Sequence, residues 1–332
     1  MAERKRLLTQ PEAVWKEKDM SSGRAADALV MILRTNGCSW AKNGGCTMCG
    51  YASASAKNVT SGDLMRQLDH VMQKYNGEPF VKIYTSGSFL DPNEIPQDVR
   101  KAVFERFKDA ERLLFESRPE YISDEVLRTL PKNVTIALGL ETSDACVLEK
   151  SIRKGFSPAD ARTAGMMIRN AGLKVRTYLL LKPLYLCEKD AIADTVASVR
   201  FADEFSDEIS INPANVQRYT VMERMWRKGE YRPPWLWSLA EVMRMCAGST
   251  KARLMSSPSG GGSQRGAHNC GKCDRDILDA IERFSFSQDI KEIGGLSCGC
   301  RDTWMQVMDA EVLLGTASDV MRAMDNVMAL GK

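Results

Sequence analysis

No apolar run in this sequence approaches the roughly 20 residues that a membrane-spanning helix needs. The N-terminus carries early charges and no apolar core segment, so no secretory leader is expected. An excess of one charge sign is also missing. Forty-six Lys and Arg face 43 Asp and Glu, for a net charge of +3 and a pI near 8.3. That balance permits nucleic-acid binding without demanding it. No internal repeat is visible. What remains is a chain of 332 residues, 44% hydrophobic and 27% charged, ordinary values for a soluble globular protein. The length suits one large domain with an appendage, or two domains. Ten cysteines, most of them grouped, read as metal ligands in a reducing cytoplasm.

The first group stands at Cys38, Cys46 and Cys49, in the loop from Thr35 to Tyr51, behind the apolar run Ala28 to Leu33. The spacing is Cys-x7-Cys-x2-Cys. Thiolates are soft ligands that suit zinc or iron–sulfur clusters. No fourth cysteine lies nearby, whereas structural zinc wants four closed ligands. Three thiolates suit a four-iron cluster with one iron left open for a small molecule. Two other readings stand beside this one. A distant residue could complete a zinc site, or the cysteines could be buried small hydrophobes, for which Gly44-Gly45 and a polar loop are a poor setting.

The loop resembles the cluster loop of radical S-adenosylmethionine (SAM) enzymes, in a widened variant of their Cys-x3-Cys-x2-Cys. From about Ala28 to the C-terminus the chain is similar to the radical SAM lyases of archaeosine biosynthesis, relatives of the Elongator catalytic subunit. The resemblance implies a [4Fe-4S] cluster on Cys38, Cys46 and Cys49, with Met48 packed beside the adenine of SAM.

Short, continuous apolar runs read as buried strands at Ala28–Leu33, Phe80–Thr85, Arg112–Glu116, Val134–Leu140, Val175–Leu181 and Glu208–Asn212. Helices fall between them. Thr60-Ser61-Gly62-Asp63 is a variant capping box before a Leu64–Tyr75 helix. Ser157-Pro158-Ala159-Asp160 opens another, which stops at Gly172. Six strand–helix units in series predict a parallel sheet with right-handed crossovers. The expected class is α/β, a partial (β/α)6 radical SAM barrel with a C-terminal metal-binding extension. Residues 1–25 read as a lead-in segment, an amphipathic helix or basic arm. Residues 26–235 read as the barrel, and 236–332 as the extension with its Cys-rich site. Barrels of this kind work at the C-terminal ends of their strands, and the first cysteine group follows the first of the six.

Other strand ends at that mouth supply candidate SAM contacts. Ser86, Gly87 and Ser88 resemble the family's Gly-Gly-Glu segment, which binds the amino group, with Ser88 where the family has Glu. An ordinary turn is the competing reading. Glu116, in Phe115-Glu116-Ser117-Arg118, resembles the third-strand acid near that amino group. Glu141 matches the residue that contacts the ribose, and Arg153, twelve residues on, the one that pairs with the SAM carboxylate. A planar guanidinium suits a carboxylate. Surface ion pairs are the plainer account of these charges.

The second cysteine group, Cys270-x2-Cys273 and Cys298-x-Cys300, has the ligand count of a four-cysteine zinc knuckle, with His268 as a substitute ligand and a second iron–sulfur cluster as the alternative. Ser256 to Ser263 reads as a flexible linker by composition. Cys146, Cys187 and Cys246 are isolated thiols, and His70 reads as a helix packing residue. Trp226, Trp235, Trp237 and Trp304 could stack on bases, though core packing is the usual fate. By resemblance the activity is carbon–nitrogen cleavage through a 5′-deoxyadenosyl radical, turning a lysine-bearing 7-deazaguanine in tRNA into archaeosine. The implied partners are tRNA, the lysine-transferring archaeosine synthase subunit and an electron donor such as a ferredoxin or flavodoxin. An Elongator-like modifier and a non-catalytic zinc-containing RNA-binding protein are the other classes to weigh.

Overall fold

The computed structural model describes residues 8–313. It opens with strands β1 (Ala13–Ser21) and β2 (Arg24–Ile32), an antiparallel hairpin that sets Ala13 opposite Ile32 and Ser21 opposite Arg24. Ser22 and Gly23 turn the corner with φ of 49° and 78°, the left-handed pair that a two-residue hairpin loop uses. The lead-in is therefore a strand over Ala13–Ser21 rather than a helix or a basic arm. Its charges alternate with period two, Glu17 and Asp19 on one face and Lys16 and Lys18 on the other. Asp19 is buried only because partners arrive from far along the chain.

The order continues α1 (Ser39–Lys42), α2 (Ser61–Met72), β3 (Phe80–Tyr84), α3 (Gln97–Arg106), β4 (Arg112–Ser117), α4 (Asp124–Arg128), β5 (Val134–Glu141), α5 (Pro158–Asn170) and β6 (Lys174–Leu181). Then come α6 (Glu188–Ala202), β7 (Glu208–Pro213), α7 (Val221–Arg227), α8 (Leu236–Cys246), β8 (Arg253–Met255), α9 (Asp274–Ser287), α10 (Lys291–Gly294) and α11 (Cys300–Leu313). The sheet keeps chain order from β1 to β8, with parallel pairing at β2–β3, β3–β4, β4–β5 and β7–β8. The six expected strands are β2 to β7. This is the topology of a partial (β/α) barrel, each strand beside its predecessor across a helical connection. β8, only three residues long, escaped the sequence reading. Among the described residues no helix is long and apolar enough to cross a membrane.

The chain divides into two compact units. The first comprises Met1–Gly45, Gly50–Gly139 and Ala159–Arg176. The second comprises Cys46–Cys49, Leu140–Pro158 and Thr177–Lys332. In the first, α2 begins with the capping box read from sequence. The Asp63 amide donates to Thr60 Oγ1 at 3.2 Å, and the Thr60 amide donates to Asp63 Oδ2 at 2.9 Å. Phe89 stacks on Phe115 with centroids 4.5 Å apart, and Phe104 packs against both. Beneath this apolar core lies a buried ionic group. Lys82 Nζ meets Asp19 Oδ2 at 2.5 Å and Glu17 at 2.6 Å, and Arg176 meets Asp19 at 3.2 Å. Arg112 lies over the Phe80 ring and donates to Thr135 Oγ1 at 2.9 Å.

In the second unit the expected flexible linker is a folded turn. Gly261 donates to Pro258 O, Gly266 to Ser263 O and Gly262 to Ala267 O. Backbone bonds hold a composition that suggested mobility. Glu188, with no exposed surface, accepts from Lys182 Nζ, the Trp235 amide and Ser238 Oγ. Trp304 Nε1 donates to the same Ser238 at 2.9 Å, which joins α6, α8 and α11. Trp235, Trp237 and Trp304 are all buried, so core packing is their role.

Burial pulls the Asp19 carboxyl up, but Arg176 and Lys82 outweigh it and hold the group below its ordinary 3.8. A depressed folded-state pKa gives stability that is present above the unfolded value and lost as pH falls through the folded one. Asp19→Asn should therefore cost about 3 kcal/mol at pH 7 by stranding buried cations. It should also flatten the acid limb of stability below about pH 4. Urea melts at pH 7 and pH 3 check both. An unchanged acid limb would refute the assignment.

Candidate active site and metal centre

In the first unit, Cys38 stands just past β2 and immediately before α1. The turn Ser86-Gly87-Ser88 follows β3 and packs directly on it. A Cβ added at Gly87 would lie 2.7 Å from both Cα and Cβ of Cys38, and 2.8 Å from Glu94 Oε2. Only glycine permits that approach. Glu94 is the residue the sequence reading missed. It is 1% exposed. Its Oε1 accepts from Thr35 Oγ1 at 2.7 Å and from the amides of Ser86 and Gly87 at 2.9 and 3.1 Å. Its Oε2 accepts from the Ser88 amide at 2.6 Å. Burial pushes the carboxyl up, opposed by the Thr35 hydroxyl and the Ser88 and Ser86 amides. With those amides committed to Glu94 and the Ser88 carbonyl accepting from the Asp91 amide at 3.1 Å, the Ser86 and Gly87 carbonyls are the acceptors that the turn could offer an ammonium.

The same unit fixes the residues around Cys38. Ser39 Oγ donates to Asp91 Oδ2 at 2.5 Å, and Tyr121 OH donates to the same oxygen at 2.9 Å. Burial and that bond push Tyr121 up to about 12. The Arg118 guanidinium lies 5.2 Å from the Trp40 ring centre, and the Arg118 amide donates to Ser88 Oγ at 3.0 Å. Glu116, half-buried at the end of β4, accepts the Phe89 amide on its carbonyl at 2.9 Å. The glycine turn and the β4 end are thus hydrogen-bonded together, with Cys38 packed against Gly87.

The second unit contains Cys46, Met48 and Cys49. The Thr47 amide donates to Ile152 O at 3.0 Å, and Thr47 Oγ1 donates to Ser151 O at 2.6 Å. Thr47 O accepts from the Met222 amide at 3.3 Å. Ser151 Oγ is held in turn by Leu184 O at 2.5 Å. The cysteine turn is thereby bonded to a π-helical turn, Val147–Ile152, of a kind frequent at functional sites. Arg153 ends it with φ of 60°, and Glu141 at the end of β5 has φ of 70°. Two charged residues in left-handed backbone are a pointer to function. Glu141 pairs with Lys154, the residue after Arg153, whose Nζ lies at 2.6 Å. Thr142 donates to Asp194 Oδ1 at 2.6 Å, and burial pushes that carboxyl up to about 6.

The other metal group is explicit. The sulfurs of Cys270, Cys273, Cys298 and Cys300 all lie within 4.8 Å of one another. Cys270 is 3.9 Å from Cys273 and 3.8 Å from Cys298, and Cys273 is 3.6 Å from Cys300. Four sulfurs about 2.3 Å from a tetrahedral zinc would stand about 3.8 Å apart. The Lys272 and Cys273 amides hold Cys270 down to about 6, whereas burial pushes Cys273 up to about 12. Trp237 Nε1 donates to Cys300 Sγ at 3.2 Å, and Asn269 Nδ2 to Cys273 Sγ at 3.5 Å. Such outer bonds orient thiolate ligands. His268 is outside the group, its Nδ1 paired with Gly266 O at 2.8 Å. Cys187 and Cys246 are buried thiols that burial pushes up, Cys246 to about 11.

Archaeosine synthase subunit beta of Methanosarcina acetivorans is 39% identical over 316 residues, 91% of each chain. The chain belongs to the archaeosine synthase subunit beta family. The protein of that name from Thermococcus kodakarensis is 38% identical over 314 residues, covering 90% of this chain and 97% of the relative. An uncharacterized protein of Methanocaldococcus jannaschii is 37% identical over 325 residues, 91% and 88% of the two chains. Among solved structures, methylornithine synthase aligns at 15% identity over 84% of this chain and 85% of that one, with a TM-score of 0.47. No family model matches the chain.

Gly87→Ala should force apart the Cys38 turn and Glu94, at a cost of about 1–3 kcal/mol of overpacking. It should also lower the iron retained after anaerobic reconstitution, read by iron assay and a thermal melt. Wild-type iron content and melting would contradict the packing argument. A metal bound by the four converging sulfurs should be lost in Cys273→Ala together with a lower melting temperature, as elemental analysis and a thermal melt will show.

Proposed function

We propose that this chain is a radical SAM enzyme that completes archaeosine in tRNA by cleaving a carbon–nitrogen bond of a lysine-bearing 7-deazaguanine. The observation that carries this reading is the Glu94-braced turn against Cys38, in a chain whose full-length relatives are named archaeosine synthase subunit beta. Cys38, Cys46 and Cys49 would hold a [4Fe-4S] cluster. When bound, the cluster and SAM supply a 5′-deoxyadenosyl radical for hydrogen abstraction from the substrate.

The chain's own residues do the positioning. Carbonyls of the Ser86–Ser88 turn, with Glu116, would receive the SAM ammonium, while Glu94 holds the amides of that turn. Arg153 would pair with the SAM carboxylate. Glu141, held by Lys154, would contact the ribose. Met48 would pack beside the adenine. Cys270, Cys273, Cys298 and Cys300 would hold a structural zinc, a reading that their tetrahedral spacing supports. A companion subunit that attaches lysine, a ferredoxin or flavodoxin as electron donor, and a cytoplasmic setting complete the reading.

Anaerobic incubation with SAM, reductant and lysine-modified tRNA should yield 5′-deoxyadenosine and archaeosine together, read by mass analysis of nucleosides. Cys46→Ala should abolish both. Deoxyadenosine formed without any change in the base would overturn the substrate and leave the cofactor chemistry standing. Protein that retains only zinc after reconstitution would overturn the enzyme reading.

A further inference from the structure

One surface of the second unit concentrates positive charge that the whole chain lacks. Between Gln217 and Arg232 stand Arg218, Arg224, Arg227, Lys228 and Arg232, against Glu223 and Glu230. Arg218, Arg224, Arg227 and Lys228 are exposed, whereas Glu223 is buried. Glu223 is committed inward. It accepts from Arg227 at 3.0 Å, from Arg265 at 2.9 Å and from the Tyr219 amide at 2.7 Å. That last bond bears on Tyr219, which has φ of 66° and is 81% exposed. A large aromatic in left-handed backbone, tied at its amide by a buried carboxylate, is presented to solvent by the fold.

The surface continues from there. Arg265 lies over the Trp226 ring at 4.9 Å. Trp226, Tyr231, Arg232, Gln264 and His268 line a cavity of about 360 Å³. Arg232 is fixed there by donating to His268 O at 2.9 Å and by stacking on Trp235 at 4.2 Å. Aromatic faces, a guanidinium, an amide and an imidazole around a space of this size suit one unstacked nucleoside. The exposed cations beside it suit the flanking phosphates. Met222, three residues past Tyr219, donates to Thr47 O in the Cys46–Cys49 turn, so this surface is bonded to the cysteine loop.

We propose that Tyr219, the 224–228 cations and the Trp226–Gln264–His268 cavity form the docking surface for the single-stranded part of the tRNA. Tyr219 stacks on one base, and the cavity takes another. The proposal rests on the tRNA-modifying function inferred above and assigns to it the residues that grip the nucleic acid.

The test uses the full-length protein with zinc bound and an unmodified tRNA transcript, by fluorescence anisotropy across a salt series. The variants are Tyr219→Ala and the triple Arg218→Ala, Arg224→Ala, Lys228→Ala. A charge-matched triple in the first unit, Lys74→Ala, Lys101→Ala, Lys108→Ala, serves as control. Tyr219→Ala should weaken binding roughly 5- to 100-fold, the range of one base stack. The triple should flatten the slope of log affinity against log salt by about 2, as three lost phosphate contacts on a single strand would. The control should change neither. Equal effects from both triples, or none from either variant at the proposed surface, overturn the proposal while the enzyme reading stands. Intact RNA affinity together with lost association with the companion subunit reassigns the surface to a protein interface. A wild-type protein without affinity for tRNA overturns the surface and the substrate together.

Discussion

The Glu94 carboxylate is the constraint on which the first unit's site depends. An isolated buried carboxylate is costly, and the cost is met only when its lone pairs are filled. Here Thr35 and the amides of Ser86, Gly87 and Ser88 fill them. Thr35 precedes Cys38 by three residues, and Gly87 touches Cys38, so one side chain ties the approach to the cysteine loop to the turn after β3. A backbone turn between two strands would otherwise be free to face its amides outward, attracting anions. Drawing them onto a buried carboxyl group reverses the polarity of the turn, so its backbone matters more than which side chain stands at Ser88.

The second unit solves a comparable problem by strain rather than by charge. Arg153 and Glu141 occupy left-handed backbone that side chains rarely adopt. The π-helical turn between them is held at its end by Thr47, through its amide and hydroxyl, and by Ser151 through Leu184. The same bonds brace the cysteine turn and the approach to Arg153. Overdetermined local geometry of this kind persists where a site must be held ready before its ligand arrives.

Much of this was legible in sequence because it rests on local chemistry. Six buried strands announce themselves as apolar runs, and Thr60 with Asp63 forms the capping box its spacing predicts. The paired spacing of Cys270, Cys273, Cys298 and Cys300 anticipated four sulfurs that the fold does converge. The failures share one cause. The charges of the lead-in read as a solvated helix or arm, whereas in β1 Lys82 and Arg176 arrive from β3 and β6 to bury Asp19. Glu94 carries no sequence signal, because three of its four donors are backbone amides and the fourth, Thr35, lies 59 residues away. The Ser256–Ser263 stretch was read as flexible because composition cannot show that Gly262 bonds to Ala267.

The zinc-type site and the basic surface are arguments about the same stretch of chain. Asn269 donates to Cys273 Sγ and accepts the Trp237 amide, and the residue before it, His268, both lines the cavity and accepts from Arg232. A tetrahedral metal on Cys270, Cys273, Cys298 and Cys300 would therefore fix the floor of that cavity through one covalently adjacent residue. Closing a chain loop with a metal removes conformational freedom that binding would otherwise have to remove. RNA contacts made by long, flexible arginines are weak unless their base is rigid. A metal held there would stiffen the surface proposed to meet the substrate, a role in recognition rather than in catalysis.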